Sequence, residues 1–349
     1  MRARSIALAT CLVLGCSPAP SAESPEEATA SATAQPPLPT AVTTPSAVPD
    51  PGTSATAAPA PTPAPSATAI RSADSKDLTE RDLGPSLGKA VEHVTKKEWG
   101  KAKKALEVVV QEKLPYAEAH RLFAAHALLG RARAASGDPK GAAESYDTVL
   151  KLYAGGSRLA ELGPPGDPAT QEKVVVVADA TSEAKYQVAE RKRAQVEKQK
   201  PPKYAGKGDN GGVTKFINTE FKKWLTARMK ADDELNQLYL AVLDVKPFPA
   251  PRWVVRAGHR VGAQNVSFIE ELKTAPMPKE WLGSGDIGGI PKAEIRATYT
   301  EQLARVSEPF LERARGAHKK CVEIAATFSL KMPEADACAA WLAANPAKP

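Results

Sequence analysis

Residues 17–70 have a composition that cannot build a hydrophobic core. This segment holds 13 of the chain's 31 prolines and 15 alanines, but none of its 19 aromatic residues and no Lys or Arg. Such a segment buries too little apolar surface to offset its ordering entropy. We therefore expect a disordered Pro/Ala/Thr-rich tether, which at ~3.1 Å per residue of polyproline II spans at most about 170 Å. Folding is then confined to residues 71–349, a stretch of 279 residues with a formal charge of +9.

The first 15 residues have the layout of a secretory signal. Arg2 and Arg4 precede a short apolar run at positions 6–14, and Gly15 follows. A basic start, a short apolar centre and a small residue before a break are typical of signal peptides. The run is much shorter than the ~20 residues of a membrane-spanning helix. An apolar start on a cytosolic protein is the alternative interpretation.

The residues before Cys16 are Val13, Leu14 and Gly15, and this ending resembles the lipobox of bacterial lipoproteins. The resemblance implies a diacylglyceryl group on Cys16, removal of residues 1–15, and acylation of the new amino terminus. Residues 16–74 would then be a lipidated cysteine with its linker. Ser17 favours the outer membrane with the protein facing the periplasm, with the outer leaflet of the inner membrane or the cell surface as alternatives. An ordinary signal with an incidental cysteine is the other interpretation.

From residue 75 the apolar residues recur with a period near 3.6, which predicts an all-α fold. We expect helices over 75–200 and 213–345, separated by Pro201, Pro202 and a Gly-rich loop. Asp138–Pro139 and Asp167–Pro168 are predicted helix starts, with Asp as the N-cap and Pro in the first turn. The run at 174–177 favours a strand by propensity, but its surroundings favour a helix.

The last long helical segment, 292–330, contains Pro309. Proline lacks the N–H and clashes with the preceding turn, so we expect a break or kink, with Ser307 as a new N-cap. No strand is predicted anywhere in the chain.

Two regions have the spacing of tetratricopeptide repeats (TPR). In the first, Gly130 and Ala142 are small where two antiparallel helices would touch, and Tyr146 would fill the groove to the next pair. Upstream and downstream positions fit the same template. The predicted repeat-packing residues are Trp99, Ala102, Gly130, Ala142, Tyr146, Tyr239, Trp253 and Ala257. A generic helical bundle is the alternative.

The stretch from about 85 to 330 resembles TPR lipoproteins of Gram-negative envelopes, including those of trans-envelope and gliding motility complexes. The residues that carry the resemblance are Trp253, Ala257, Arg260, Gly262, Phe268, Leu272, Ala275, Pro276, Pro278, Tyr299, Leu303, Pro309, Ala314 and Val322. It implies an irregular TPR-like helical solenoid that binds envelope proteins through its groove. Long loops interrupt the repeats, which departs from a regular superhelix.

No catalytic or metal-binding motif is present in the sequence, and the five histidines are dispersed. We therefore expect no enzyme activity, cofactor or metal site. Two loops, 206–212 and 283–289, share the pattern G-x-G-D-x-G-G before a helix. Anion binding, or calcium at Asp209 or Asp286, is one interpretation and flexible connection the other. The acidic pair Asp232 and Asp233 is expected to be solvated.

Cys321 and Cys338 are equidistant from a predicted turn near residue 330. Residues so placed face each other in an antiparallel helix pair, and the periplasm favours oxidation. We predict a disulfide between them, with two unpaired buried thiols as the alternative.

The basic charge, densest at 191–203, indicates an anionic partner or a solvated face, and nucleic acid is not expected outside the cytoplasm. The sequence favours a lipid-anchored periplasmic scaffold. A cell-wall-associated enzyme accessory and a carrier of a small apolar ligand are the alternatives.

Overall fold

The computed structural model describes residues 76–206 and 210–346. Cys16, the tether, the signal and Asp209 lie outside the described residues. Helices α1–α5 span, in order, Pro85–Thr95, Trp99–Val109, Ala119–Ala135, Pro139–Tyr153 and Pro168–Val196. Helices α6–α10 span Asn210–Phe216, Lys222–Leu240, Pro251–Lys273, Lys292–Thr327 and Pro333–Ala344.

Short elements connect these helices. A π-helical turn, Ile217–Phe221, joins α6 directly to α7. A two-stranded antiparallel hairpin, β1 at Asp286–Ile287 and β2 at Ile290–Pro291, precedes α9. Single 3₁₀ turns are formed by Leu78–Glu80, Tyr116–Glu118, Ala154–Gly156, Leu159–Leu162 and Lys279–Trp281. The prediction of no strand is wrong at this hairpin, whose strands are two residues each and too short to show period-2 alternation in the sequence. The hairpin provides the only strands in the described part of the chain, and the predicted all-α class is confirmed.

Helices α1 to α5 and α7 to α10 each pack against at least one sequence neighbour, and α6 contacts the π-helical turn that follows it. The described region is therefore an irregular helical solenoid. The loops between α1 and α2 and between α3 and α4 are three residues long, so each pair is antiparallel. Helix α5 spans two core clusters. Its first half, including Val177, packs with α1–α4, and its second half, including Tyr186, packs with α7 and α8. Helix α5 therefore packs against helices of both predicted regions, 75–200 and 213–345.

The predicted helix starts at residues 138 and 167 are confirmed. The Asp138 carboxylate accepts a hydrogen bond from the Gly141 N–H at 2.8 Å, and Asp167 accepts one from the Thr170 N–H at 2.8 Å. These contacts satisfy N–H groups that the first helical turn leaves without partners. The run at 174–177 lies inside α5, as its surroundings predicted.

Of the break or kink predicted at Pro309, the break is wrong, because α9 is one helix from Lys292 to Thr327. Ser307 is not an N-cap either, since its hydroxyl donates to the Leu303 carbonyl inside the helix. The proline removes one backbone donor, but Pro309 itself is exposed. The next residue, Phe310, is buried against Phe268 of α8, so packing on both sides of the proline holds the helix together. No helix in residues 76–206 and 210–346 is long and apolar enough to cross a membrane.

Candidate functional site

A network of buried charges lies where α3, α5 and α8 meet the segment before α1. We call it the ion-pair network; its members are Asp77, Arg81, Arg131, Asp179, Glu183 and Arg252. Buried ionisable groups mark functional sites in many proteins, so these residues are the first candidates for chemistry. The chemistry that these side chains could perform depends on the partners of each charge and on the access of a ligand to it.

Glu183 and Arg131 form the centre of the network. The Glu183 side chain on α5 is fully buried, and both of its oxygens accept hydrogen bonds at 2.6 Å from the Nε and Nη2 atoms of Arg131. The Tyr146 hydroxyl donates a further bond to Glu183 at 3.3 Å. Arg131 also donates from Nη1 to Asp77 at 2.9 Å. This two-pronged arrangement is the strongest kind of carboxylate–guanidinium pairing.

Asp179 lies one helical turn before Glu183 and is equally buried. It accepts hydrogen bonds from Arg252 Nη2 at 2.9 Å and from the Trp253 indole at 2.8 Å. Arg81 approaches the same carboxylate at 3.9 Å. Burial raises the pKa of Asp179, and the nearby arginines oppose that rise. This carboxylate accepts hydrogen bonds from two adjacent residues of α8 and lies near an arginine of the segment before α1.

Asp77 links the first described residues to the network. Arg131 and Arg252 both donate to its carboxylate, and it also caps the 3₁₀ turn at Leu78–Glu80 by accepting from the Thr79 N–H. Burial opposes the ionisation of Asp77, but the two arginines outweigh this effect and hold its pKa well below the ordinary value. The segment that follows residue 75 is thereby fastened to α3 and α8.

The ion-pair network joins segments that are far apart in the chain. Arg131 and Arg252 donate hydrogen bonds to all three carboxylates of the network. Arg81 donates to Glu172 at 2.9 Å, and its Nε atom lies 3.9 Å from Asp179. Two surface cavities, of about 360 and 270 Å³, are lined by other residues and do not reach the network. Charged groups that are paired in this way hold their segments together, and breaking one such pair is strongly destabilising.

The predicted repeat position Gly130 lies directly under the ring of Tyr146. A Cβ at Gly130 would lie 2.6 Å from the Tyr146 Cζ atom, so only glycine lets α3 and α4 approach this closely. The Tyr146 ring then reaches α5 through its hydroxyl bond to Glu183. Ala142 is buried beside it, Ala102 is fully buried in α2, and Trp99 packs against the same core from a half-buried position.

The second predicted group forms an aromatic cluster between α5, α7 and α8. The ring centroid of Tyr186 lies 5.8 Å from that of Tyr239 and 5.3 Å from that of Trp253. Ala257 is buried one helical turn after Trp253 in the same core cluster. Tyr239 and Trp253 thus meet through Tyr186, a residue of α5 that the repeat template did not include.

A disulfide joins Cys321 of α9 to Cys338 of α10, with Cα atoms 6.5 Å apart. The buried ring of His318 lies beside it, with Nδ1 3.3 Å from the Cys338 sulfur. Burial, and then the neighbouring His259, lower the pKa of His318 to about 4, so this ring is neutral at pH 7. Gly262 provides the room for it, since a Cβ there would lie 2.5 Å from the imidazole.

The expectation that Asp232 is solvated is wrong, although Asp233 is exposed. Asp232 is buried between α7 and α8, where Arg228 donates to it and Gln264 donates from Nε2 at 2.5 Å. Burial raises the pKa of Asp232 to about 6, against the opposing charge of Arg228. Arg228 is itself fully buried and also donates to Glu271.

Sequence reasoning missed both buried charge clusters. A signal was present for one of them, because Asp179 and Glu183 lie four residues apart within the apolar stretch of α5 that runs through Ala178 and Ala184. An acidic pair with helical spacing on a buried face predicts partners of opposite charge. The sequence carries no comparable signal for Arg131 or Arg252, whose neighbours in the chain are ordinary for a helix.

The Gly-Asp loops receive no support as ion sites from the described residues. Asp286 is exposed in the β1–β2 hairpin, and the central residues of the other loop are outside the described ranges. In the part of the chain that the structure describes, no group of three His, Cys, Asp or Glu side chains could hold a metal ion.

No protein-family model matches the chain, and no curated protein or solved structure matches it either.

Proposed function

We propose that this protein is a lipid-anchored scaffold of the bacterial envelope, held to the outer membrane through Cys16 and facing the periplasm. Its TPR-like helix pairs would bind other envelope proteins. The lipobox-like ending at Cys16 supports the anchor, and the composition of residues 17–70 supports a tether that lets the helical region work away from the lipid.

One observation carries the scaffold proposal: small and aromatic residues at repeat spacing meet between helices that follow one another in the chain. The Tyr146 ring packs on Gly130 and continues to α5, and the rings of Tyr239 and Trp253 meet through Tyr186. Stacked helix pairs of this kind create extended surfaces, which repeat proteins use for binding partners.

Crosslinking in intact envelopes, followed by identification of the attached proteins, tests the scaffold function directly. A defined set of envelope proteins should be recovered from cells that express the chain. The same set should be lost when Gly130→Leu disrupts the packing of α3 on α4. Recovery of the same proteins with this disrupted variant would contradict binding through the helical groove.

The anchor is tested separately by Cys16→Ala. The substituted protein should leave the membrane fraction, while a Cys321→Ala, Cys338→Ala control should remain there because its lipobox is intact. If Cys16→Ala stays bound to membranes to the same extent as the control, lipidation is not what attaches the protein.

A further inference from the structure

A group of six exposed lysines comes from two separate parts of the chain. We call it the lysine patch; its members are Lys198, Lys200, Lys203, Lys215, Lys222 and Lys223. The first three follow the end of α5, and the others lie on α6 and α7. All six side chains are exposed.

A row of aromatic rings fastens these two parts together. Tyr204 packs edge-on against Phe216 with ring centroids 5.0 Å apart, and the row continues through Phe221 to Trp224. The Trp224 indole then donates to the Gln199 carbonyl at 3.2 Å. The row therefore places the lysines of α6 and α7 beside those that follow α5.

Little negative charge offsets the lysine patch. Lys200 pairs with Glu271 at 3.1 Å, and the other five lysines make no ion pair with any carboxylate of the described residues. Glu220 is an exposed acid among them and lines the 270 Å³ surface cavity together with Lys203 and Lys215, and Glu197, beside Lys198, is exposed as well. The adjacent arginines are already engaged, since Arg191 pairs with Asp147 and Arg193 pairs with Glu190 and Glu197.

We propose that the lysine patch binds the surface of an anionic phospholipid bilayer. The available cations are all lysines, whose compact, flexible charges suit a diffuse field of headgroup phosphates. Lysine is depleted in protein–protein interfaces, where arginine is enriched, so an acidic protein face fits this surface less well. The half-buried rings of Tyr204 and Trp224 at its edge are of the kind that occupies the headgroup region.

This inference goes beyond the proposed scaffold function and does not depend on lipidation. The proposed tether, with a reach of up to about 170 Å, would leave the helical region free in the aqueous space. Contact through the lysine patch would instead bring α6 and α7 to a membrane surface. A protein held at both ends in this way is positioned against a bilayer, rather than only attached to it.

Co-sedimentation with vesicles tests the proposal, with the full chain carrying Cys16→Ala so that no acyl group contributes. The vesicles are phosphatidylcholine alone, or phosphatidylcholine with 30% phosphatidylglycerol (about one anionic lipid in three, an ordinary test composition). Binding through the apolar start at 6–14 appears with both, so the increment caused by phosphatidylglycerol is the quantity measured. We expect that increment to be large and to disappear in high salt, which screens it.

The decisive variant combines Lys198→Gln, Lys203→Gln, Lys222→Gln and Lys223→Gln. Its matched control removes the same charge from other exposed lysines, through Lys89→Gln, Lys97→Gln, Lys104→Gln and Lys113→Gln. We expect the first variant to weaken anionic-vesicle binding about tenfold or more, since each lysine near the surface contributes substantially. The control should bind nearly as well as the parent.

Three outcomes would overturn the proposal. They are equal losses in the two variants, an unchanged affinity in the first variant, and binding to soluble polyglutamate or heparin without binding to anionic vesicles. Far-ultraviolet circular dichroism verifies that both variants are folded, and the pair Lys222→Gln, Lys223→Gln alone provides a milder second variant that should lose part of the binding. The Cys16→Ala fractionation described above is unaffected by these outcomes, so failure of this proposal and failure of the anchor are distinguishable.

Discussion

Replacing Gly130 by alanine tests the packing of α3 on α4 at a single atom. The new Cβ would lie 2.6 Å from Tyr146 Cζ and 2.8 Å from both Cε atoms, well inside van der Waals contact. The ring cannot move freely, because Tyr146 is buried and its hydroxyl donates to Glu183 on α5. The substitution must therefore shift either the ring or the helix.

Three contributions set the expected change in the free energy of unfolding. Alanine is better than glycine inside a helix by about 1 kcal/mol, which stabilises the variant. Overpacking a buried contact costs about 1–3 kcal/mol. Moving the Tyr146 hydroxyl away from a buried carboxylate costs a further ~1.5 kcal/mol, at the low end for such a bond because the observed one is 3.3 Å long. The sum is a net destabilisation of about 1.5–3.5 kcal/mol.

Urea unfolding followed by circular dichroism measures this change, and Gly88→Ala is the matched control. Gly88 is a helical glycine of α1 that is exposed and has no atom within 4 Å of an added Cβ. The control should therefore be stabilised, by up to about 1 kcal/mol, so the two variants should differ in sign. A Tyr146→Leu background should relieve most of the cost of Gly130→Ala, because the clashing ring atoms are gone.

The reasoning would be refuted if Gly130→Ala were as stabilising as Gly88→Ala. It would also be refuted if the cost of Gly130→Ala were unchanged in the Tyr146→Leu background, because the clash would then not involve this ring.

Three further predictions concern charge, oxidation and pH. Arg252→Met should lower the free energy of unfolding by about 3–5 kcal/mol, because it leaves buried carboxylates without their cation. The control Arg158→Met, at an exposed pair, should change this free energy little. Similar urea midpoints for the two variants would contradict the prediction. The disulfide between Cys321 and Cys338 closes a loop of 17 residues, and its reduction should lower the free energy of unfolding by about 3 kcal/mol. Equal urea midpoints for the reduced and the oxidised protein would exclude a stabilising bridge. Burial raises the pKa of Asp232 to about 6, so the folded state binds more protons than the unfolded chain between about pH 4 and 6. The free energy of unfolding should therefore fall as pH rises through that window. In urea titrations across the same window, Asp232→Asn should remove this fall.

The helical architecture was predictable because its signals are local or periodic. The apolar period near 3.6 identified the helices, and the Asp–Pro pairs marked two of their starts. The pairing of Cys321 with Cys338 was predictable for a similar reason, since two helices joined by a tight turn bring equidistant positions together. Each of these inferences needs only residues that are close in the sequence.

Pro309 shows where a local rule fails. The rule considers the hydrogen bond that proline removes, but not the buried contacts on either side of it. Phe310 packs on Phe268 of another helix with ring centroids 4.6 Å apart, and α9 continues without a break. Tertiary packing outweighed one missing bond, and nothing within α9 itself indicates this.

The sequence by itself determined which part of this chain can fold, that it folds into helices, and where small and aromatic residues recur at repeat spacing. Only the tertiary structure decided which charges are buried and which are available. Asp77 and Arg252 are 175 positions apart and form one ion pair, and Asp232 is buried while Asp233 beside it is exposed. The physical reason is that helix formation depends on neighbouring residues, whereas the environment of a charge depends on whichever segments the folded chain places around it.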